Sequence, residues 1–513
     1  MAPSSFKAMI TDMTTPTHIL RVTCRWWPVL VLLLLHLPLT ATDRWMAERA
    51  RLRADRATLR EQAEADIARR AADAVTAITI LIDAADRART AGQDAVIDRW
   101  ITALNSLDAE AATQMRAKAA SLEPEPDSSN RQDERSWQRA INQARRASLE
   151  RTTTLLNRSL QAGVHDLAHG FLLEILAFDP DNAAIRRSLN QVQVEGRWLG
   201  PYHQQMARQG LWWDDELGWI LAREQERYAA GEYFDLQSRQ WTTEAQANAV
   251  RSQPGQEWVL RSPRIALHTT LDLRQAVREA NRLEQFYAGI FAAWAAFFST
   301  RPDDYQLILG LAEHDPLKVW IYRDRSQYQA QARRSNLPDW SAGFWSSREN
   351  ASFFYGEGGT VLYHEFTHQV FHIFARGNRS PVWVTEGVAI YSETPTFVDD
   401  RMVLGCYQAA RRVQAHRRAA RRNNHLSIER LLNTSHQQWS DAQGDRVQQN
   451  YNAAGAIAWY LMEAEDRRFR GDFIDFVRDS YRGNTRNREV WDYLGLSRAA
   501  FLEAYQAWER GDD

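Results

Sequence analysis

The first third of the chain carries spaced apolar residues on a background of alanine, arginine and glutamate, without proline between Asp43 and Ala120. The apolar positions begin at near-heptad spacing and comprise Leu52, Leu59, Ile67, Ile78, Leu81, Ile97 and Ile101. This pattern predicts long helices within residues 43–130, arranged as a hairpin or a short coiled coil. The segment Glu123–Asn130 contains two prolines and predicts a solvated linker at the end of this region.

Two shorter regions with different patterns follow. Residues 131–195 again have a helical pattern, and Gly163–Asn182 resembles a single tetratricopeptide-type unit, although an ordinary helical hairpin explains it equally well. Residues 196–257 are rich in tryptophan and tyrosine between turn-forming glycines, which predicts a small domain of short strands. Packing of these rings in a core is favoured over a carbohydrate-binding surface.

The rest of the chain, residues 258–513, alternates between strand and helix patterns. Strands are predicted over Trp258–Thr270, Leu317–Tyr322 and Gly343–Tyr355. Helices are predicted over Leu273–Phe298, Thr360–Phe374 and Tyr451–Glu463, with further helices closing the domain. The order β-α-β-α-β followed by helices predicts an α+β fold.

The helix predicted over Thr360–Phe374 contains the sequence His364-Glu365-Phe-Thr-His368. Residues four apart lie on one face of an α-helix, about 6 Å apart along its axis, so the two histidines can bind one ion. Zinc binds imidazole nitrogens at about 2.0–2.1 Å, and a catalytic zinc site keeps one position open for water. Glu365 lies beside this pair and is the candidate base for that water.

Glu386 is the candidate third metal ligand. It lies in the sequence Trp383-Val-Thr-Glu386-Gly387-Val-Ala389-Ile-Tyr391-Ser-Glu393, which follows the histidine pair. His372 extends the histidine series, but on a straight helix it is about 12 Å along the axis from His364. One ion with bonds of about 2 Å cannot bind both residues, so His372 is predicted to be a packed or supporting histidine.

The two motifs resemble those of the gluzincin metallopeptidases, whose second motif is W-x-x-E-G-x-A-x-Y-x-E. The resemblance implies a thermolysin-like catalytic domain preceded by a mostly helical region, with zinc bound by His364, His368 and Glu386. It also implies that Tyr451 donates a hydrogen bond to the oxyanion, with a core tyrosine as the alternative. Glu393 is predicted either to orient a ligand histidine or to lie on the surface.

A wider span, from about residue 196 to 464, resembles a family of exported, peptidase-like bacterial proteins, the DUF1570 or peptidase-MA-like group. The metzincin class is excluded, because it requires a glycine and a histidine where this chain has Phe371 and Phe374.

Composition and charge narrow the function classes. The 513 residues include 44% hydrophobic and 25% charged residues, which is ordinary for globular domains, and the formal charge is −2. All but three of the basic residues are arginines, scattered among acids, so nucleic-acid binding is not predicted. With only Cys24 and Cys406, neither a cysteine zinc site nor a disulfide scaffold is available.

The beginning of the chain has the pattern of an export signal. Arg21 and Arg25 precede an apolar stretch over Pro28–Leu39, which fits the 7–15 residues of a signal peptide and is short for a membrane span. Residues 1–42 are therefore predicted to be a signal peptide, cleaved near Ala41, or an uncleaved anchor. The protein is expected in the periplasm or cell envelope.

The sequence thus predicts an exported zinc metallopeptidase that acts on a peptide or protein. The alternative is a non-catalytic envelope protein with a structural zinc site, whose helical region, residues 43–130, binds a protein partner. Retention of Glu365 favours the enzyme, because a structural site requires ligands but no base.

Overall fold

The computed structural model describes residues 41–85, 91–121, 131–298, 315–337, 341–356, 359–375, 379–398 and 401–511. The chain divides into two compact units, Met1–Glu48 and Arg49–Asp513. Of the first unit, the structure describes only Ala41–Glu48, the beginning of a helix. The predicted signal, apart from Ala41 and Thr42, lies outside the described residues, and so does Cys24. In the described part of the chain, no helix has both the length and the apolar composition needed to cross a membrane.

The predicted helices of the first 195 residues are present. They are α1 (Ala41–Ala65), α2 (Ile67–Ala85), α3 (Ala91–Asn105), α4 (Ala109–Ala120), α5 (Arg131–Gln161), α6 (His165–Phe178) and α7 (Ala183–Ser188). Ile78, Leu81, Ile97 and Ile101 share one buried core with residues of α5 and α6. These helices therefore pack as a bundle around a common core rather than as an isolated two-stranded coiled coil.

Three separate antiparallel hairpins occupy the aromatic region. They are β1 (Val192–Val194) with β2 (Arg197–Leu199), β3 (Leu211–Asp214) with β4 (Gly218–Leu221), and β5 (Glu232–Asp235) with β6 (Gln240–Thr243). Short helices alternate with them: α8 (Pro201–Arg208), α9 (Gln225–Ala229) and α10 (Glu244–Arg251). Trp219 and Tyr233 are buried and make edge-to-face contacts with Trp213 and Trp258. These rings therefore pack with one another, as the sequence predicts.

One five-stranded sheet forms the frame beneath the candidate site. Its strands are β7 (Trp258–Arg261), β8 (Ile265–Thr269), β9 (Leu317–Tyr322), β10 (Gly343–Ser346) and β11 (Ala351–Tyr355), in the order β10-β11-β9-β8-β7. The three central strands are parallel, and the strand at each edge is antiparallel to its neighbour.

Two of the predicted single strands are hairpins instead. Pro263 lacks an N–H for the ladder, and the chain turns there, with Ser262 N donating to Ile265 O at 2.9 Å. Asn350 has a positive φ of 49°, a conformation that asparagine tolerates in tight turns, so the second segment also folds back. The predictions over 258–270 and 343–355 were wrong in this respect.

Helices cover the sheet and complete the α+β domain. They are α11 (Leu273–Phe298), α12 (Arg325–Arg334), α13 (Gly359–Ala375), α14 (Val382–Ser392), α15 (Arg411–Ala420), α16 (Ile428–Leu432), α17 (His436–Ser440), α18 (Asp445–Arg467), α19 (Arg470–Arg482), α20 (Val490–Leu494) and α21 (Arg498–Arg510). A small hairpin, β12 (Thr396–Val398) with β13 (Arg401–Val403), follows α14. The predicted helix over Leu273–Phe298 matches α11.

Buried ion pairs join the second part of α1 to α19. Arg49 and Arg56 both bind Asp472 and Asp475, with Arg49 Nη1 2.6 Å and Arg56 Nη2 2.8 Å from Asp475 Oδ2. Burial raises the pKa of Asp475, but the arginines outweigh burial and hold it below its usual range. Residues 49–65 are therefore an integral part of the domain that carries the candidate site.

Candidate metal centre

Helix α13 carries the paired histidines, and buried polar contacts fix it to the sheet. Gln369 is fully buried; its Nε2 donates to Lys318 O and Asn350 O, each at 3.2 Å, and its Oε1 accepts from Ser352 Oγ at 2.8 Å. Since these partners lie on or beside β9 and β11, the helix cannot rotate without leaving buried polar groups unpaired. The helical face that carries His364 and His368 is thereby held in place.

Three side chains converge where α13 meets α14. His364 Nε2 and His368 Nε2 are 3.3 Å apart, and Glu386 Oε2 lies 3.2 Å from His364 Nε2. Glu386 Oε1 lies 3.7 Å from His368 Nε2. The structure thus brings together the three predicted ligands, which form one of its two His/Glu groups suited to a metal ion among the described residues.

These separations fit a shared ion better than hydrogen bonding. In a tetrahedral shell with bonds of about 2.0–2.1 Å, neighbouring ligand atoms lie about 3.3–3.4 Å apart. Glu386 Oε2 is buried and accepts no hydrogen bond from the described residues, although His364 lies close by. A buried carboxylate oxygen without a donor is costly, and a cation at the centre of the three atoms would remove that cost. The donor set therefore fits a divalent metal ion.

The electrostatics of the site also favour a cation. Burial lowers the pKa of the His364 imidazole, but Glu386 and Glu393 outweigh burial and raise that pKa to about 10. Burial raises the pKa of Glu386, but the two histidines hold it far below its usual range. The surrounding carboxylates thus stabilise positive charge at the His364 ring, and a metal ion would displace a proton there.

Glu393 and Arg412 extend the site behind His364. Glu393 is buried, with Oε2 3.0 Å from His364 Nδ1 and Oε1 accepting from Arg412 Nε at 2.7 Å. A carboxylate on the outer nitrogen of a ligand histidine fixes its ring and tautomer. Of the two alternatives for Glu393, the structure therefore favours the orienting role over the surface. Sequence reasoning missed Arg412, which no motif singles out.

The glycine of the second motif lets α14 contact α18 closely. A Cβ at Gly387 would lie 2.7 Å from Ala454 O, and one at Gly455 would lie 2.5 Å from Ile390 Cγ2. No larger residue fits at either position without separating the helices. The close contact brings Tyr451, one turn before Gly455, to the edge of the metal centre.

Trp383 and Tyr391 of the second motif also hold α14 against its neighbouring helices. Trp383 stacks in parallel on Phe473 and Phe476, with centroid distances of 6.4 and 6.0 Å. The Tyr391 hydroxyl donates a short hydrogen bond to Glu463. The motif therefore combines one ligand, one orienting carboxylate and the packing residues that place both.

Tyr451 faces the site. Its ring centroid lies 6.2 Å from that of His364, and the Arg412 guanidinium lies 5.4 Å from the centre of the tyrosine ring. Burial, reinforced by Glu386, raises the pKa of Tyr451 to about 12. The hydroxyl therefore stays protonated at neutral pH and can donate a hydrogen bond.

Glu365 lies beside the histidines and faces the edge strand β10. Its Oε2 accepts a hydrogen bond from the backbone N–H of Trp345 at 3.2 Å. Glu365 is absent from the group of converging ligand atoms, so its carboxylate is not needed as a ligand. The candidate base thus lies against the edge strand of the described sheet.

His372 and Cys406 lie apart from the three ligands. The His372 ring packs against Trp345, with a centroid distance of 4.7 Å, and burial lowers its pKa. Cys406 is a free, partly exposed thiol. Neither belongs to the His/Glu groups of the described residues.

Comparison with known proteins identifies one domain. Residues 359–483 match a family described as "Protein of unknown function (DUF1570)", and this domain contains α13, α14 and Tyr451. No curated protein matches the chain, and no solved structure matches it either. The DUF1570 part of the predicted resemblance is therefore confirmed over 359–483, whereas its extension to residue 196 stays a prediction.

Proposed function

We propose that the protein is an exported zinc-dependent metallopeptidase with a thermolysin-like, or gluzincin, catalytic domain. The proposal rests mainly on the convergence of His364, His368 and Glu386, with Glu365 beside them and outside the ligand set. Two imidazoles and one carboxylate are a donor set of catalytic zinc sites, which keep one position open. The periplasm or cell envelope is the proposed location, on the strength of the leader over residues 1–42.

Each polar residue of the site has a role in peptide hydrolysis. A zinc ion held by His364, His368 and Glu386 would lower the pKa of water towards about 7 and would polarise the carbonyl of the substrate. Glu365 accepts the proton of the attacking water and passes it to the leaving amine. The Tyr451 hydroxyl donates a hydrogen bond to the negative charge that develops on the carbonyl oxygen. Glu393, held by Arg412, keeps the His364 ring in place.

The position of β10 at the edge of the described sheet supports a peptide as the substrate. Strand β10 lies at the edge, and Trp345 pairs with Ser352 while donating its N–H to Glu365 instead of to β11. Along an edge strand, the backbone groups of alternate residues point away from the neighbouring strand. Trp345 and Gly343 are two residues apart, so both present their backbone groups on the side of β10 that faces away from β11. An extended peptide adding there would pair with the strand and pass beside the candidate base.

Hydrolysis of a broad peptide library by the zinc-loaded protein tests the proposal. We expect cleavage by the loaded protein and loss of cleavage after a chelator removes the metal. Activity should return when Zn²⁺ is added back. This recovery distinguishes inactivation by metal loss from inactivation by unfolding. Folded, zinc-loaded protein that cleaves no peptide would support the non-catalytic alternative instead.

Replacing Tyr451 with phenylalanine should reduce kcat/KM by about 10²-fold, because the oxyanion would lose one hydrogen-bond donor. Zinc content should not change, since Tyr451 is not among the three ligands. Steady-state peptide hydrolysis with metal analysis measures both quantities. Tyr228→Phe, which removes a hydroxyl that contacts Leu221 N in the aromatic region, is the matched control. Unchanged kcat/KM in Tyr451→Phe would mean that Tyr451 serves only as a packing residue.

A further inference from the structure

A second group of two histidines and one glutamate lies between α15, the loop after it and α21. It consists of His416, His425 and Glu509, and its three ligand atoms lie within 4.8 Å of one another. His416 and Glu509 are almost fully buried, with 2% and 1% of their surface exposed. Its composition matches that of the first group, although its residues belong to no local motif.

The distances within this group correspond to a metal shell. His416 Nε2 lies 3.0 Å from Glu509 Oε2, and His425 Nε2 lies 3.2 Å from Glu509 Oε1. The Tyr505 hydroxyl lies 3.3 Å from His416 Nε2. These values are close to the separation of about 3.3 Å between neighbouring ligands in a tetrahedral zinc site.

The group places a buried carboxylate between two imidazoles. His416 Nε2 and His425 Nε2 each lie against one oxygen of Glu509, which is almost fully buried. The Tyr505 hydroxyl adds a further polar group beside His416 Nε2. A buried carboxylate is costly unless its charge is balanced, and a cation among these donor atoms would balance the charge of Glu509.

We propose that His416, His425 and Glu509 form a second metal site, which binds zinc and has a structural role. Nitrogen and carboxylate donors suit this ion, and the burial of His416 and Glu509 fits a closed site rather than a catalytic one. The ion would tie α21 to α15. Since Arg412 lies one turn before His416 on α15, the second site also steadies the helix that supports Glu393 and His364.

Zinc stoichiometry of the full chain tests this proposal independently of peptidase activity. Metal-free protein should take up two equivalents of Zn²⁺, counted by elemental analysis after desalting. His416→Ala and Glu509→Gln should each retain one equivalent, and so should His364→Ala, in which the first site is destroyed. The matched control is His436→Ala, which removes an exposed histidine that contacts Ser380 O and should retain two equivalents.

The His364→Ala background separates the two sites. In this variant, Zn²⁺ should raise the thermal midpoint, because an ion that binds only the folded state stabilises it. His425 is less buried than His416 and Glu509, so it is the third residue chosen for replacement. The double variant with His364→Ala and His425→Gln should lose both the remaining equivalent of zinc and the rise in thermal midpoint on addition of Zn²⁺. This combination decides the question if Glu509→Gln does not fold. A single equivalent in the wild type that His364→Ala loses, or two equivalents in folded His416→Ala, would overturn the second site and leave the first unaffected.

Discussion

Replacing Glu365 with glutamine should reduce peptide hydrolysis by about 10²–10⁴-fold, the usual contribution of general acid–base catalysis. The amide cannot accept the proton of the attacking water, and it cannot deliver a proton to the leaving amine. Zinc content should equal that of the wild type, because Glu365 lies outside the group of ligand atoms. Single-turnover hydrolysis of one cleaved peptide, with metal analysis of the same samples, measures both effects.

The fold should tolerate this change. Glutamine keeps an oxygen that can accept the hydrogen bond from Trp345 N, so the contact with β10 survives. Glu195→Gln, the same substitution at an exposed hairpin position in the aromatic region, is the matched control and should hydrolyse peptide at the wild-type rate. Wild-type activity in Glu365→Gln would exclude Glu365 as the base, even if the metal centre is correct.

Local spacing made the core of the site predictable. His364 and His368 share a helical face because they are four residues apart, and Glu386 follows in a motif whose fixed residues each have a packing or ligand role. Arg412 was not predictable, because nothing in a series of arginines on one helix distinguishes the member that faces a buried carboxylate. His416, His425 and Glu509 are brought together only by the packing of α21, so no periodicity marks them.

The strands show the same limit of prediction from the sequence. Alternating apolar residues correctly placed extended chain before α11 and before α13, and the helix over Leu273–Phe298 was placed correctly. Pattern alone did not place the two reversals within the strand segments, because a turn depends on single residues such as Pro263 and Asn350. The reversal at Asn350 matters for the candidate site, because it creates β10, the edge strand of the described sheet whose Trp345 N–H contacts Glu365.

His364→Ala should remove one equivalent of zinc relative to the wild type and abolish peptide hydrolysis. The alanine leaves only one imidazole and one carboxylate, and it also leaves Glu393 buried without its imidazole partner. His368→Ala should likewise lose one equivalent, because it too removes an imidazole ligand. Elemental analysis of folded protein, with circular dichroism to verify folding, measures the loss.

His372→Ala provides the contrast on the same helix. Its ring packs against Trp345 and lies about 12 Å along the axis from His364, so its loss should remove a packing contact and no ligand. We expect full zinc content and a lower thermal midpoint in this variant. Loss of an equivalent in folded His372→Ala would require a bent helix and a different ligand set. His364→Ala and His372→Ala both replace a histidine of α13 with alanine. A difference in zinc content between the two variants therefore depends on where the imidazole lies and not on the loss of an imidazole as such.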